Sequence, residues 1–231
     1  MTLIVAHRGL HVSERENTVA AFRAARALGV DGVELDVRLS ADGVLVVHHD
    51  AHADAVAIGR SPARDLPDFV PTLAQALDAA EGLVVNVEIK NLRHASEATY
   101  DESGDFARQV VNFLHEARAP RSVIVSCFDL VTCQVVRDHD PLLRVGWLLS
   151  WRHAVGPALE RAADLGLDAV HPPVRRVHAA TAQRARALGL ALNVWTVNEP
   201  NDLSAMLALE VASVITDDPA TALTLAGRAP V

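Results

Sequence analysis

The chain has 231 residues, half of them hydrophobic and 22% charged, which supports one substantial core and excludes disorder as the main state. Lys and Arg number 21 against 29 Asp and Glu, a net charge of −8 that argues against a nucleic-acid or anionic-membrane surface. Only two cysteines are present, Cys127 and Cys133, at a spacing that matches no zinc or redox motif, so a reducing cytoplasm is the expected compartment.

The first apolar run, Leu3 to Ala6, meets His7-Arg8 at once. It is too short for the core of a signal peptide, and no uncharged apolar stretch reaches the roughly 18 residues of a membrane span. Further short runs follow at 32–37, 84–89, 123–126, 144–149, 169–171, 191–195 and 213–216, rich in Val, Ile and Leu. Each reads as a buried strand of a parallel sheet. Helical spacing of apolar residues predicts helices over 18–28, 72–81, 105–118, 130–138, 155–165, 179–188, 201–209 and 220–226. Asn17, Thr72, Asn198 and Asp218 stand as N-caps, and Gly29, Gly82, Gly166 and Gly189 as helix stops.

One run breaks the alternation. Val44 to His48 follows 32–37 after a gap of only six residues that holds Asp42-Gly43. A parallel crossover needs a dozen residues, so this is an antiparallel hairpin that returns His48 and His49 beside Glu34 and Asp36. No glycine-rich phosphate loop follows any strand, which disfavours an open nucleotide-binding sheet. Eight strands alternating with eight helices predict a single-domain (β/α)₈ barrel over residues 1–231, with a β-hairpin excursion after strand 2. The irregular segments 55–70 and 91–104 are expected to lid a pocket.

In such a barrel the C-terminal rim carries the chemistry. Glu34 and Asp36 lie two apart on one strand and so face one way; Glu88 and Lys90 do the same on the next. Three acids and one lysine inside a barrel need compensation. A divalent cation supplies it, and an all-oxygen set suits Mg²⁺ or Ca²⁺ better than zinc; a salt-bridge network through Lys90 and Arg8 is the other reading. Of eleven histidines, His7 and His49 fall at the rim near this cluster and suit general acid/base work. His48 should point away from them, and His171 is a second candidate at the rim. His11, His52, His94, His115, His139, His153 and His178 read as surface residues. Arg8 suits an anion clamp or a rim salt bridge to Glu16 or Asp50. Trp195 fits either the core or a pocket wall, and both cysteines read as packing residues.

The ordered series Ala6-His7-Arg8-Gly9, Glu16-Asn17-Thr18, Gly29 to Val37, Asp42 to Asp50, Val87-Glu88-Ile89-Lys90, Ser126-Cys127-Phe128, Val194 to Asn198 and Thr216-Asp217-Asp218-Pro219 resembles the glycerophosphodiester phosphodiesterase family over nearly the whole chain. The resemblance implies a metal-dependent (β/α)₈ barrel that hydrolyses glycerophosphodiesters to sn-glycerol 3-phosphate and an alcohol. It implies that Glu34, Asp36 and Glu88 bind one divalent cation, Mg²⁺ or Ca²⁺. It makes His7 and His49 the general acid/base pair, with Arg8 and Lys90 on the phosphate and Trp195 along the pocket. Two departures stand out: Arg15 replaces a proline usual before Glu-Asn-Thr, and 51–64 reads differently from the family. The expected partner is a small-molecule phosphodiester, with no nucleic acid and no integral membrane segment. A lysophospholipase D or sphingomyelinase D-like activity on the same scaffold, a metal-dependent lyase or isomerase, and a non-catalytic phosphoester-binding barrel are the alternatives.

Overall fold

The computed structural model describes residues 1–92, 100–117 and 123–228. Its strands are β1 (Leu3–Ala6), β2 (Gly32–Leu39), β3 (Leu45–Val47), β4 (His52–Ala53), β5 (Val56–Ala57), β6 (Val84–Ile89), β7 (Val123–Cys127), β8 (Arg144–Leu148), β9 (Ala169–His171), β10 (Ala191–Val194) and β11 (Ser213–Thr216). Its helices are α1 (Val19–Leu28), α2 (Leu73–Ala79), α3 (Asp105–Glu116), α4 (Leu130–His139), α5 (Val155–Asp164), α6 (Ala179–Ala187), α7 (Pro200–Ala208) and α8 (Pro219–Leu225).

Eight strands, β1, β2, β6, β7, β8, β9, β10 and β11, pair in parallel and in sequence order. The ring closes because β1 pairs with β2 through Val5↔Gly32 and with β11 through Leu3↔Ser213 to Ala6↔Thr216. The architecture is therefore the expected closed (β/α)₈ barrel. β3 lies outside the ring, antiparallel to β2 in the register Val37↔Val47, Arg38↔Val46 and Leu39↔Leu45. Its turn is made by Gly43 at φ +79°, whose N–H donates to the Ser40 carbonyl at 3.0 Å. That positive φ is cheap only for glycine.

The strands are buried on both faces, so they carry continuous Val, Ile and Leu rather than alternation. The helices cover them through one apolar stripe each. On α1 this stripe is Ala21, Phe22 and Ala25; fully burying a side chain of the size of Phe22 contributes about 1.5–3 kcal/mol. A satellite cluster of Val46, Ala53, Ile58 and Leu66 holds the β4–β5 hairpin and the segment after it against β3.

Two of the four expected caps are in place. Thr72 forms a capping box with Gln75, and Asp218 accepts from Thr221. The other two are corrected. Thr18, not Asn17, caps α1, and Glu199 precedes α7, whose first residue is Pro200. Both asparagines serve the site described next. The expected 105–118 helix ends within the described residues at Glu116; Arg118, His94 and the middle of the 91–104 segment lie outside them.

Candidate active site

Three carboxylates converge from two adjacent strands. β2 and β6 pair so that Asp36 stands opposite Glu88 and Glu34 opposite Asn86. Oxygens of Glu34, Asp36 and Glu88 all lie within 4.8 Å of one another, and all three residues are buried. Lys90 Nζ sits 2.8 Å from Glu88 and 3.3 Å from Asp36, and Arg8 Nε is 3.4 Å from Asp36. Asn17 donates to Asp36 Oδ2 at 2.7 Å, and its own Oδ1 accepts the Asp36 N–H at 3.3 Å.

The charges do not balance at Glu34. Burial alone would raise Asp36, but Lys90, Arg8, His49 and the Asn17 bond hold its carboxyl at about 2. Glu34 is pushed well above the usual carboxylate range by burial and by Asp36 and Glu88. Its Oε2 accepts the Arg8 N–H at 3.1 Å, while its buried Oε1 has no partner. A buried carboxylate with an orphaned oxygen, grouped with two further buried carboxylates, is what a hard divalent cation satisfies, so these residues fit one. The salt-bridge reading also holds in part, because Lys90 does pair with Glu88 and Asp36; it leaves Glu34 Oε1 unanswered.

The first strand delivers the groups beside this cluster. Arg8 has φ +55°, a turn that places His7 and Arg8 over the barrel mouth. Gly9 follows at φ +83°, where a β-carbon would lie 2.8 Å from Ala21. Thus glycine alone lets the loop close onto α1. His7 Nε2 is 3.9 Å from Glu34 Oε2, and its Nδ1 is 2.6 Å from Asp217 Oδ1. The Arg8 guanidinium meets Glu16 at 2.9 and 3.0 Å rather than Asp50.

The hairpin brings in His49. The backbone N–H of His48 donates to the Asp36 carbonyl at 2.9 Å, and the Arg38 guanidinium donates to the His49 carbonyl. His49 Nδ1 is 2.8 Å from Asp50. His48 does turn away: it is buried, 3.1 Å from the His52 carbonyl, with its ring against Phe69. A cavity of about 290 Å³ is lined by His7, Arg8, Glu34, His49, Glu88, Lys90 and Trp195. Trp195 is thus a pocket wall rather than a core residue. It donates to the His171 carbonyl at 2.8 Å and meets Phe128 edge-on at 5.4 Å.

His171 is corrected. It is fully buried below the rim, facing the barrel interior in a separate cavity of about 200 Å³ with Asn86, Asn193 and Ser213. Its Nε2 is 2.9 Å from Asn193 Nδ2, its Nδ1 has no partner, and burial lowers its pKa to about 3. His11 is corrected too. It lies partly buried at the site, with Nε2 3.0 Å from Asp217 Oδ1. Sequence reasoning missed His11, Asp217, Asn17 and Asn198 as site residues; the available signals were the polar end of the last strand, Thr216-Asp217-Asp218, and the place of Asn17 and Asn198 in the blocks that resemble the family. The cysteines are buried and free, with burial pushing the Cys127 thiol up to about 12, which suits packing and not nucleophilic work. Segments 55–70 and 91–104 contribute Ile58, Gly59 and Arg60, and Tyr100, Asp101 and Ser103, to a larger cavity of about 640 Å³ that shares Lys90 with the site.

Residues 7–69 and 59–221 match the sequence model of the Glycerophosphoryl diester phosphodiesterase family. The chain is 28% identical over 245 residues to a glycerophosphodiester phosphodiesterase of Caldanaerobacter subterraneus subsp. tengcongensis, with 97% of each chain covered. It is similar in structure to a glycerophosphodiester phosphodiesterase from Parabacteroides distasonis, with a TM-score of 0.84, 26% identity and 98% and 97% of the two chains covered. The fold is also shared with an Oleispira antarctica phosphodiesterase crystallised with the product sn-glycerol-3-phosphate, with a TM-score of 0.83, 19% identity and coverage of 98% and 97%.

Proposed function

Because the chain belongs to the glycerophosphoryl diester phosphodiesterase family, enzymes that hydrolyse glycerophosphodiesters, we propose how its own residues divide that work. Glu34, Asp36 and Glu88 hold one divalent cation, Mg²⁺ or Ca²⁺; the orphaned Oε1 of Glu34 beside two further carboxylates is the observation that carries this. When bound, the cation polarises a phosphoryl oxygen and neutralises the diester's charge.

The protein groups do the rest. Arg8 and Lys90 line the pocket and offer N–H donors to the phosphoryl oxygens, which stabilises charge that grows in the transition state. His7 and His49 come from separate segments and both line this pocket. One removes a proton from the attacking hydroxyl or water, and the other protonates the departing alkoxide, which leaves poorly as an anion. Trp195 and Phe128 form the apolar wall for the glycerol carbons. The product is sn-glycerol 3-phosphate. The cavity of about 640 Å³ beyond Lys90 receives the alcohol half of a small soluble phosphodiester.

No described helix is long and apolar enough to cross a membrane, and the free buried cysteines support a cytoplasmic setting. The test is a substrate panel of glycerophosphocholine, glycerophosphoethanolamine, glycerophosphoglycerol and a lysophospholipid dispersion, each with and without EDTA. Turnover of the soluble diesters that is lost in EDTA and restored by Mg²⁺ or Ca²⁺ is expected. Turnover confined to the lysophospholipid would move the reading to a lipid phosphodiesterase, and full activity in EDTA would remove the cation from it.

A further inference from the structure

His7 presents different surroundings to its two ring nitrogens. Nε2 faces the carboxylate cluster, 3.9 Å from Glu34. Nδ1 faces Asp217 at 2.6 Å, on the loop after β11. Asp217 is itself fixed from three sides. Asn198 Nδ2 donates to its Oδ2 at 2.6 Å, and His11 Nε2 lies 3.0 Å from its Oδ1. Asn198 is anchored in turn, since its Oδ1 accepts the Asp217 N–H at 2.9 Å and the Thr216 hydroxyl at 3.3 Å.

The chemistry of these donors sets the tautomer. An ionised carboxylate only accepts, so Nδ1 must carry a proton, and in the neutral ring that leaves the Nε2 lone pair toward the cluster. Burial would raise the Asp217 carboxyl, but the bonds from His7 and His11 hold it well below the usual carboxylate range, so it is ionised at neutral pH. His7, His11 and Asp217 also lie close enough together to bind a metal. Unlike Glu34, however, Asp217 has every contact answered by an N–H donor, so hydrogen bonding accounts for the cluster.

We propose that Asp217 is the positioning residue for His7, and that Asn198 and His11 lock Asp217 so that His7 offers an unprotonated Nε2 to the reacting groups. This rests on His7 belonging to the proposed acid/base pair, and it makes His7 the member that takes the proton. The backbone of strand β1 places the imidazole at the rim, but rotation about χ2 could turn either nitrogen inward. A carboxylate pinned on the far side allows one orientation and one tautomer. Asn198 and His11 remove the freedom that Asp217 would otherwise have on its loop.

The experiment uses the full chain with glycerophosphocholine, together with imidazole ¹⁵N spectra at about pH 8, where a free histidine is neutral. Asp217→Asn keeps the shape, yet its amide can turn an N–H toward Nδ1 and force the proton onto Nε2. We expect kcat to fall about 10²-fold with KM changed less than about threefold, and the His7 resonances to move from the Nδ1–H to the Nε2–H pattern. Asn198→Ala and His11→Gln should each lower kcat about three- to tenfold with a mixed His7 tautomer, since each removes one of the supports on Asp217. A merely structural role would leave the tautomer unchanged. Wild-type kcat in Asp217→Asn, or an unaltered His7 pattern, would overturn the proposal. If His7→Ala is inactive while Asp217→Asn is normal, this inference falls and the acid/base reading stands. If His7→Ala is itself normal, that reading falls first.

Discussion

The imidazole of His171 occupies the space that a β-carbon at Gly146 would need: such an atom would lie 2.2 Å from Nε2 and 2.7 Å from Cδ2. β8 and β9 pair with Gly146 beside Ala169, and the ring of His171 leans across into the gap. Gly146→Ala should therefore push the ring off its bond to Asn193 and destabilise the fold by about 1–3 kcal/mol. The melting temperature should fall by several degrees. In a His171→Ala background the same change should cost almost nothing, because the clash is gone. Equal costs in both backgrounds, read by denaturant unfolding, would sink the idea.

His171 also makes a pH prediction. Its pKa is about 3 when folded, through burial, against about 6.5 in the unfolded chain. Above pH 6.5 both states are neutral there and the group has no effect. Below it the unfolded chain takes up a proton that the folded barrel refuses, so stability falls as pH drops toward 3. The slope is about 1.4 kcal/mol per pH unit from this residue. Urea melts from about pH 7 to pH 4.5 should show a drop that is smaller by roughly 3 kcal/mol in His171→Gln. Identical pH dependence in both proteins would show that the ring titrates freely.

The proposed cation site is tested at Glu34. Without metal its buried carboxylate stands against Asp36 and Glu88. In EDTA, Glu34→Gln should be at least as stable as the wild type, by about 1–3 kcal/mol. Millimolar Mg²⁺ or Ca²⁺ should then raise the melting temperature of the wild type by several degrees and leave the variant unmoved. A variant that still gains stability from the cation would place the metal elsewhere.

Asn17 reaches the same carboxylate cluster from a separate segment. Its side chain fixes Asp36 through two bonds. Asn17→Ala should weaken cation affinity about 10- to 100-fold, while kcat at saturating cation stays within a few-fold of normal. Calorimetric titration gives the first quantity and steady-state assays the second; unchanged affinity would mean that Asp36 needs no such support.

The choice of leaving group tests the proposed His7/His49 acid/base pair. His7→Ala and His49→Ala should each lower turnover of a glycerophosphodiester by about 10²-fold or more, and the wild-type rate should be bell-shaped in pH. A nitrophenyl phosphodiester leaves without protonation, so it should restore the variant that lacks the acid and not the other. Rescue of both, or of neither, would break the division of labour.

What the sequence determined by itself is whatever short-range rules control. Strand and helix positions follow from apolar spacing, and the hairpin follows from a gap too short for a crossover with Asp42-Gly43 in it. The facing of Glu34 with Asp36, and of Glu88 with Lys90, follows from the twofold period of a strand. Tertiary structure decided the rest. Asn17 and Asn198 have the short amides that suit helix caps, yet in the folded barrel they answer buried or pinned carboxylates on other segments. His7 and Asp217 stand 210 residues apart, and only closure of β1 against β11 brings them together. That closure also singles out His11 from the other histidines. His171 ends its strand below the rim because its depth depends on the stagger between neighbouring strands. No single strand's pattern encodes that stagger, so the residue is recognisable as interior only once the ring is closed.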